Sequence, residues 1–122
     1  MTDVFRRDIN ALYARAEACD SLATLVPALY AVFRRNGDAL EGISASYRLE
    51  ATDTGFESAF SLTEGRFAEL PPSGFTDVTI SGREAHLLAV FQRKLSPVAA
   101  MLTRKVKVEG SKAALIQLAE FL

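Results

Sequence analysis

The sequence contains very few of the residues on which covalent or metal chemistry depends. Its 122 residues include one cysteine, Cys19, one histidine, His86, and no tryptophan. A single cysteine excludes an internal disulfide, and no histidine, cysteine and carboxylate residues recur at the spacing of a metal site. Patterns typical of a serine nucleophile or a phosphate-binding glycine loop are also missing. We therefore expect a protein that is not an enzyme and has no cofactor, and we interpret His86 as a packing residue.

The sequence also lacks a long apolar run and a strong net charge. No stretch approaches the ~20 apolar residues that span a bilayer, and the first residues do not have the pattern of a signal peptide, so we expect a cytoplasmic protein. The formal net charge is −1, and basic residues are not interleaved with aromatic ones, so nucleic acid is not an expected partner.

The charged residues are nevertheless unevenly distributed. Residues 83–122 contain seven Lys or Arg and three Asp or Glu, whereas residues 1–82 contain seven and twelve. A basic C-terminal part predicts transient contact with an anionic membrane. The alternative is that Lys105 and Lys107 pair across strands with Glu50 or Glu57.

Apolar periodicity predicts two helices within residues 1–40. Thr2 is a candidate N-cap for the first helix, and a second apolar stripe runs from Leu22 to Phe33. Asn36 and the following glycine are typical of a helix end. Pro27 leaves open whether the second helix begins before it or at it, because an interior proline removes a hydrogen bond.

The rest of the chain alternates between apolar and polar residues in five segments. Three strands are predicted at Ser44–Ala51, Phe56–Thr63 and Arg66–Leu70, joined by glycine-containing turns. Two more are predicted at Asp77–Ser81 and Lys105–Glu109. Because each strand has one apolar and one polar side, we expect helices to cover a single face of the sheet.

Helix starts separate the last strands. Ser81 followed by Glu84 has the form of a capping box, and Ser96 stands before a proline suited to the first helical position. Ser111 opens a terminal helix that is apolar almost all round, so we expect that helix either to be buried on several sides or to cover an apolar ligand. The predicted fold is a single α+β domain with two layers, in which a largely antiparallel sheet of about five strands carries helices on one face.

The order of these segments resembles the sterol carrier protein type-2 family. The resemblance covers residues 44–122 well and the first 40 residues loosely, and Arg93 and Arg104 stand where many members carry glycine. The segments that carry it are Ser58–Leu70, Asp77–Ile80, Lys94–Pro97, Ala100–Met101, Lys105–Gly110 and Ala113–Leu118. The resemblance implies a lipid-binding domain with an apolar tunnel between sheet and helices, closed in part by the terminal helix.

We therefore predict a protein that binds or transfers a sterol, fatty acyl, prenyl or similar chain. The residues predicted to line the tunnel are Phe60, Leu62, Val78, Ile80, Leu88, Phe91, Met101, Val106 and Ile116. From pattern alone, a solid core with a homodimer surface is the preferred explanation of the apolar terminal helix, and the resemblance reverses that order in favour of the tunnel. The alternative function is a non-catalytic interaction or dimerisation module, accessory to a membrane-lipid biosynthetic complex, and an enzyme of unknown type is the least favoured interpretation.

Overall fold

The structure, a computed structural model, describes residues 3–120 and consists of one five-stranded sheet with helices packed against one face. The helices are α1 (Asp3–Ala16), α2 (Leu22–Arg35), α3 (Glu84–Phe91), α4 (Pro97–Leu102) and α5 (Lys112–Ala119), with a 3₁₀ turn at Gly37–Leu40. The strands are β1 (Ser44–Ala51), β2 (Glu57–Thr63), β3 (Arg66–Leu70), β4 (Val78–Gly82) and β5 (Val106–Gly110). The predicted fold class is confirmed, and each predicted strand is present to within one residue at each end.

The sheet has the order β3-β2-β1-β4-β5. All neighbouring strands are antiparallel except β1 and β4, which run parallel, with Tyr47 opposite Val78. The β2–β3 hairpin turns at Glu64 and Gly65, both with positive φ, and this twisted turn matches the twist of the flanking strands. After β3 the chain returns across the sheet, so β4 joins the opposite side of β1.

The inner face of the sheet is apolar, as its alternation predicts. Tyr47, Phe60 and Val78 stand side by side on β1, β2 and β4, and all three are buried. On the outer face, Arg48 reaches Glu50 at 3.2 Å and Glu57 at 3.0 Å. The predicted pairing of these glutamates with Lys105 and Lys107 is therefore wrong, because a nearer arginine on β1 occupies both carboxylates.

Three helix starts follow from local sequence. The hydroxyls of Ser21, Ser96 and Ser111 accept backbone N–H groups in the first turns of α2, α4 and α5. Helix α2 is continuous from Leu22, so it does not begin at Pro27. The proline is tolerated because Ala23, whose carbonyl loses its hydrogen bond, is exposed to solvent. The predicted cap at Thr2 lies outside the described residues.

The predicted capping box at the start of α3 is wrong. Ser81 belongs to β4, where it pairs with Lys107 of β5, so its hydroxyl does not cap the helix. Instead, the N–H of Glu84 donates to an Asp53 carboxylate oxygen at 3.0 Å. The Glu84 carboxylate in turn accepts the N–H of Leu22 at the start of α2, also at 3.0 Å. Caps from distant elements replace the local one.

Helix α5 is less buried than its composition suggests. Leu118 is buried, whereas Ile116 is 60% exposed on the outer side of the helix. Two hydrogen bonds hold the helix in place: the Tyr47 hydroxyl donates to the Ala114 carbonyl at 2.9 Å, and the Gln117 amide donates to the Gly42 carbonyl at 2.8 Å. The expectation that the terminal helix is buried on several sides is wrong for its described part.

Candidate functional site

An apolar cavity of about 510 Å³ lies between the inner face of the sheet and the helices. All five helices and strands β1, β2, β4 and β5 contribute to its wall. The lining residues are Tyr13, Val26, Leu29, Tyr30, Phe33, Tyr47, Arg48, Leu49, Phe60, Ile80, Leu87, Val90, Phe91, Arg93, Leu95, Ser96, Pro97, Ala100, Met101, Val106, Val108, Leu115, Leu118 and Ala119. Such a wall accommodates an apolar chain and supplies few polar groups to recognise anything else.

The structure brings five of the nine residues predicted to line a tunnel to this cavity: Phe60, Ile80, Phe91, Met101 and Val106. The other four lie elsewhere. Leu62, Val78 and Leu88 belong to the buried core beside it, and Ile116 faces away from it. The alternation that marked the inner face of each strand does not indicate which inward residues meet a void and which meet a helix.

Helix α2 and its aromatic neighbours form a part of the wall that the sequence analysis missed. The Phe60 ring centroid lies 5.2 Å from those of Tyr30 and Tyr47 and 5.3 Å from that of Phe33. Rings at such distances stabilise one another beyond their buried area. The signal was present in the sequence, because Phe33 falls on the apolar stripe of α2.

The two buried phenols in this wall are neutral at physiological pH. Burial raises the pKa of Tyr47 to about 12, and the nearby Asp77 carboxylate contributes in the same direction. Burial also raises the pKa of Tyr30, whose hydroxyl is hydrogen-bonded to Ser58. Both hydroxyls have protein partners, so they do not place an unsatisfied polar group in the cavity.

Arg93 brings a positive charge to the cavity wall. Its guanidinium carbon lies 3.7 Å from the centroid of the Tyr13 ring, in a cation–π contact. The other arginine in the wall, Arg48, directs its guanidinium to two glutamates on the outer face of the sheet. Arg93 is therefore the cation in the described wall that is available to a ligand.

Arg93 and Arg104 both adopt the left-handed backbone conformation, with φ of 59° and 60°. The N–H of Arg93 donates to the Val90 carbonyl at 3.1 Å and that of Lys94 to the Ala89 carbonyl at 2.9 Å. The same two bonds recur at Arg104, at 3.2 and 2.9 Å. This is the Schellman motif, whose left-handed position is usually glycine. The chain keeps the backbone of a glycine at both positions and places a cation there.

Three further findings concern reactive residues and membrane spans in the described part of the chain. Cys19 is buried. No three histidine, cysteine or acidic side chains within residues 3–120 come together as a possible metal site. None of the described helices has the length and hydropathy needed to cross a bilayer.

A comparison with protein-family models identifies the fold that holds this cavity. The model of the SCP-2 sterol transfer family matches residues 29–122, which is well over half of the chain. The chain therefore belongs to the SCP-2 sterol transfer family, whose domain is a lipid-binding and transfer fold, and the resemblance seen in the sequence is confirmed. A comparison with curated proteins found no match.

Solved structures show the same fold at low sequence identity. Palmitated SCP2L2 from Aedes aegypti has a TM-score of 0.62 and 16% identity, covering 82% of this chain and 92% of that one. A ubiquinone synthesis protein, UbiJ-SCP2, has a TM-score of 0.62 and 16% identity, covering 81% and 90%. The sec-alkylsulfatase Pisa1 from Pseudomonas sp. has a TM-score of 0.61 and 21% identity, covering 77% of this chain. This chain spans only 15% of the length of the sulfatase.

Proposed function

We propose that this protein binds the apolar chain of a lipid in the cavity between the sheet and the helices and transfers it between membranes. The single observation that carries the proposal is the cavity of about 510 Å³ with its almost wholly apolar wall. This volume falls in the range of roughly 300–1,000 Å³ that is typical of small-molecule sites. The bound chain would extend along this space as in a tunnel, between β1, β4 and β5 below and α2, α3 and α4 above.

The free-energy cost of an empty cavity favours a cavity that holds a ligand. By the scale of core truncations, about 24 cal/mol per Å³, a rigid empty void of this size would cost on the order of 10 kcal/mol. That cost is comparable to the whole stability of a domain, about 5–15 kcal/mol. Each methylene of a ligand returns about 0.8 kcal/mol on burial. A long acyl chain therefore offsets the cost that the empty cavity imposes.

The position of Arg93 favours a fatty acid among the lipids considered. Its guanidinium is exposed at the cavity wall and stacks on Tyr13, so it can accept a carboxylate without losing that contact. A sterol or a prenyl chain offers no anion to this group. Palmitate is the ligand named for the SCP2L2 relative, whose fold is the same.

A matched pair of substitutions on α4 tests this proposal. Met101 lines the cavity, whereas Leu102 is 80% exposed and does not. Met101→Trp should weaken binding of a fluorescent fatty acid about tenfold or more, because the indole displaces at least two methylenes of the chain. Leu102→Trp should leave the affinity unchanged. Equal affinities for the two variants and the unaltered protein would place the fatty acid outside this cavity.

Helix α4 also offers a route for contact with an anionic membrane. Its inner residues line the cavity, while Val98 and Leu102, one turn apart on its outer side, are 66% and 80% exposed. Lys94 and Lys105 flank the helix, and neither forms an ion pair within the described chain. Apolar side chains with flanking lysines suit brief insertion at the surface of an anionic bilayer.

The second candidate function is a non-catalytic interaction module, and the exposed outer side of α5 favours it. Ile116 presents an apolar side chain to solvent there, and the UbiJ-SCP2 relative is described as a ubiquinone synthesis protein. Native mass spectrometry of freshly purified protein separates the candidates. Co-purified lipid on a monomer supports lipid binding, whereas a lipid-free homodimer that Ile116→Glu dissociates supports the interaction module.

We infer that neither function includes catalysis. The wall of the cavity presents three tyrosines and two arginines, Arg48 and Arg93, and neither His86 nor an aspartate or glutamate lines it. An acid–base or nucleophilic mechanism needs a titratable side chain within reach of the ligand. Hydrolysis of acyl esters added to the purified protein, at a rate above that of the Met101→Trp variant, would contradict this inference.

A further inference from the structure

We propose that this protein has a second ligand site, a basic pocket that binds a phosphate group. The pocket has a volume of about 350 Å³ and lies where the ends of β4 and β5 meet the start of α3. Four cationic residues line it, Arg83, Arg104, Lys105 and Lys107, together with His86. It shares no lining residue with the apolar cavity, so it stands independently of the proposed lipid binding.

Three of the four cations of this basic pocket form no ion pair with the described part of the protein. Lys107 pairs with Glu109 at 3.3 Å, and both side chains are well exposed. Arg83, Arg104 and Lys105 form no ion pair with any described residue. Like charges gathered in this way repel one another, and an anion between them removes the repulsion.

Two acidic residues near the start of α3 are engaged elsewhere. Asp53 accepts the backbone N–H of Glu84, and that bond, with a smaller contribution from the Arg83 charge, lowers the pKa of Asp53. Glu84 in turn accepts the backbone N–H of Leu22 on another helix. Neither carboxylate lines the basic pocket, which therefore remains electropositive.

The backbone of Arg104 supplies a second line of evidence. A non-glycine residue in the left-handed conformation is strained, and such strain gathers at functional positions. Arg93 occupies the equivalent position after α3, where its contact with Tyr13 accounts for the arginine. Arg104 has no ring or carboxylate contact among residues 3–120, and its side chain lines the basic pocket instead.

His86 and Gly82 shape the floor of this pocket. The Nδ1 atom of His86 is buried and has no hydrogen-bond partner in the described structure. A buried ring nitrogen without a partner is costly, and the half-buried imidazole that carries it contributes to the lining of the pocket. A β-carbon at Gly82 would stand 2.6 Å from the Lys105 carbonyl oxygen, so a side chain there would displace the strand that carries the lysines.

This set of donor groups fits phosphate, whose several oxygens can each accept a hydrogen bond, better than an anion with a single acceptor atom. Guanidinium groups donate in a planar fork that fits phosphate oxygens, and ammonium groups add point charges. The hydroxyls of Thr52 and Ser81 also line the pocket and can donate to further oxygens. The phosphate can belong to the headgroup of an anionic phospholipid or to a free phosphate ester.

The first arm of the test uses inorganic phosphate and one pair of variants. Arg104→Gly removes the cation and suits the left-handed backbone, so the variant stays folded. Arg93→Gly makes the same change at the equivalent position outside the basic pocket. Titration of phosphate into isotope-labelled protein at constant ionic strength should shift the amide signals of Gly82, His86 and Lys105. Arg104→Gly should weaken the binding about fivefold or more, and Arg93→Gly should leave it unchanged.

The second arm identifies the source of the phosphate. Phosphatidylcholine vesicles with and without one-fifth phosphatidic acid are mixed with the unaltered protein and with Arg104→Gly. Vesicle binding that requires phosphatidic acid and is weaker for Arg104→Gly identifies the phosphate as that of a membrane headgroup. Phosphate binding in the first arm without such vesicle binding assigns a soluble phosphate. The proposal is overturned if Arg104→Gly binds phosphate and the phosphatidic acid vesicles as well as the unaltered protein does. It is also overturned if chloride shifts the same amide signals as much as phosphate does.

Discussion

At the scale of single residues, Arg93 and Arg104 each combine a backbone conformation that favours glycine with a charged side chain. Both stand at the left-handed position of a Schellman motif. That conformation costs a non-glycine residue roughly 1–2 kcal/mol in the folded state. A glycine avoids this strain, but ordering its more flexible backbone on folding costs about 0.5–1 kcal/mol more than ordering that of another residue. The balance of these two free energies slightly favours glycine. We therefore infer that the charge of each arginine has a use.

We predict that Arg104→Gly raises the free energy of unfolding by about 0.5–1 kcal/mol, as the difference of those two costs. Arg93→Gly should be close to neutral, because it also loses a cation–π contact worth about 0.5–1 kcal/mol. Urea unfolding followed by circular dichroism measures both. A destabilised Arg104→Gly variant would mean that the arginine side chain has a stabilising contact within the fold.

At the scale of secondary-structure elements, the helix ends are connected to one another by side chains from distant segments. Glu84, at the start of α3, caps α2. Gln92, just after α3, donates to the carbonyls of Ala16, the last residue of α1, and of Cys19, which follows α1. These bonds satisfy backbone groups that a helix end leaves free, and they hold α1, α2 and α3 together above the cavity.

We predict that Glu84→Ala lowers the free energy of unfolding by about 1 kcal/mol, the usual cost of losing an N-terminal cap. The loss should appear as faster amide exchange in the first turn of α2, which is 62 residues away in sequence. Glu41→Ala provides a control, because this exposed glutamate caps no helix through its side chain. Faster exchange confined to α3 would show that the carboxylate acts locally instead.

At the scale of the whole molecule, the fold encloses a void that its own side chains do not fill. Inward residues of four strands and all five helices surround the apolar cavity, and helix α5 is held over it by two hydrogen bonds to other elements. A domain of this size has little stability to spare for an empty space. Under the proposed function, a lipid that fills the cavity therefore adds to the stability of the fold.

We predict that a saturating fatty acid raises the melting temperature by roughly 8–12 °C. A ligand at a hundred times its Kd adds about 2.7 kcal/mol, and a domain of this size shifts by about 3–5 °C per kcal/mol. Calorimetry with and without palmitate measures the shift, and Met101→Trp should abolish most of it. An unchanged melting temperature with palmitate bound would indicate binding that does not distinguish the folded from the unfolded chain.

The sequence by itself determined the elements whose signals are local. Alternation and glycine turns located β1 and β3 to the residue, and a serine before the first turn located the starts of α4 and α5. These features depend on neighbouring residues, so a short window contains their cause. The inward face of the sheet, and hence three of the predicted lining residues, Phe60, Ile80 and Val106, follows from the same alternation.

Only the tertiary structure decided which local options are used. Ser81 has the sequence of a cap, yet strand pairing holds it in β4, and Asp53 takes its role. Ile116 has the character of a core residue but faces solvent, because Leu115 and Leu118 are on the side of α5 that lines the cavity. The basic pocket joins residues 52, 81–83, 86, 104, 105 and 107. Such outcomes depend on contacts between segments far apart in the chain, whose relative free energies no short stretch of sequence contains.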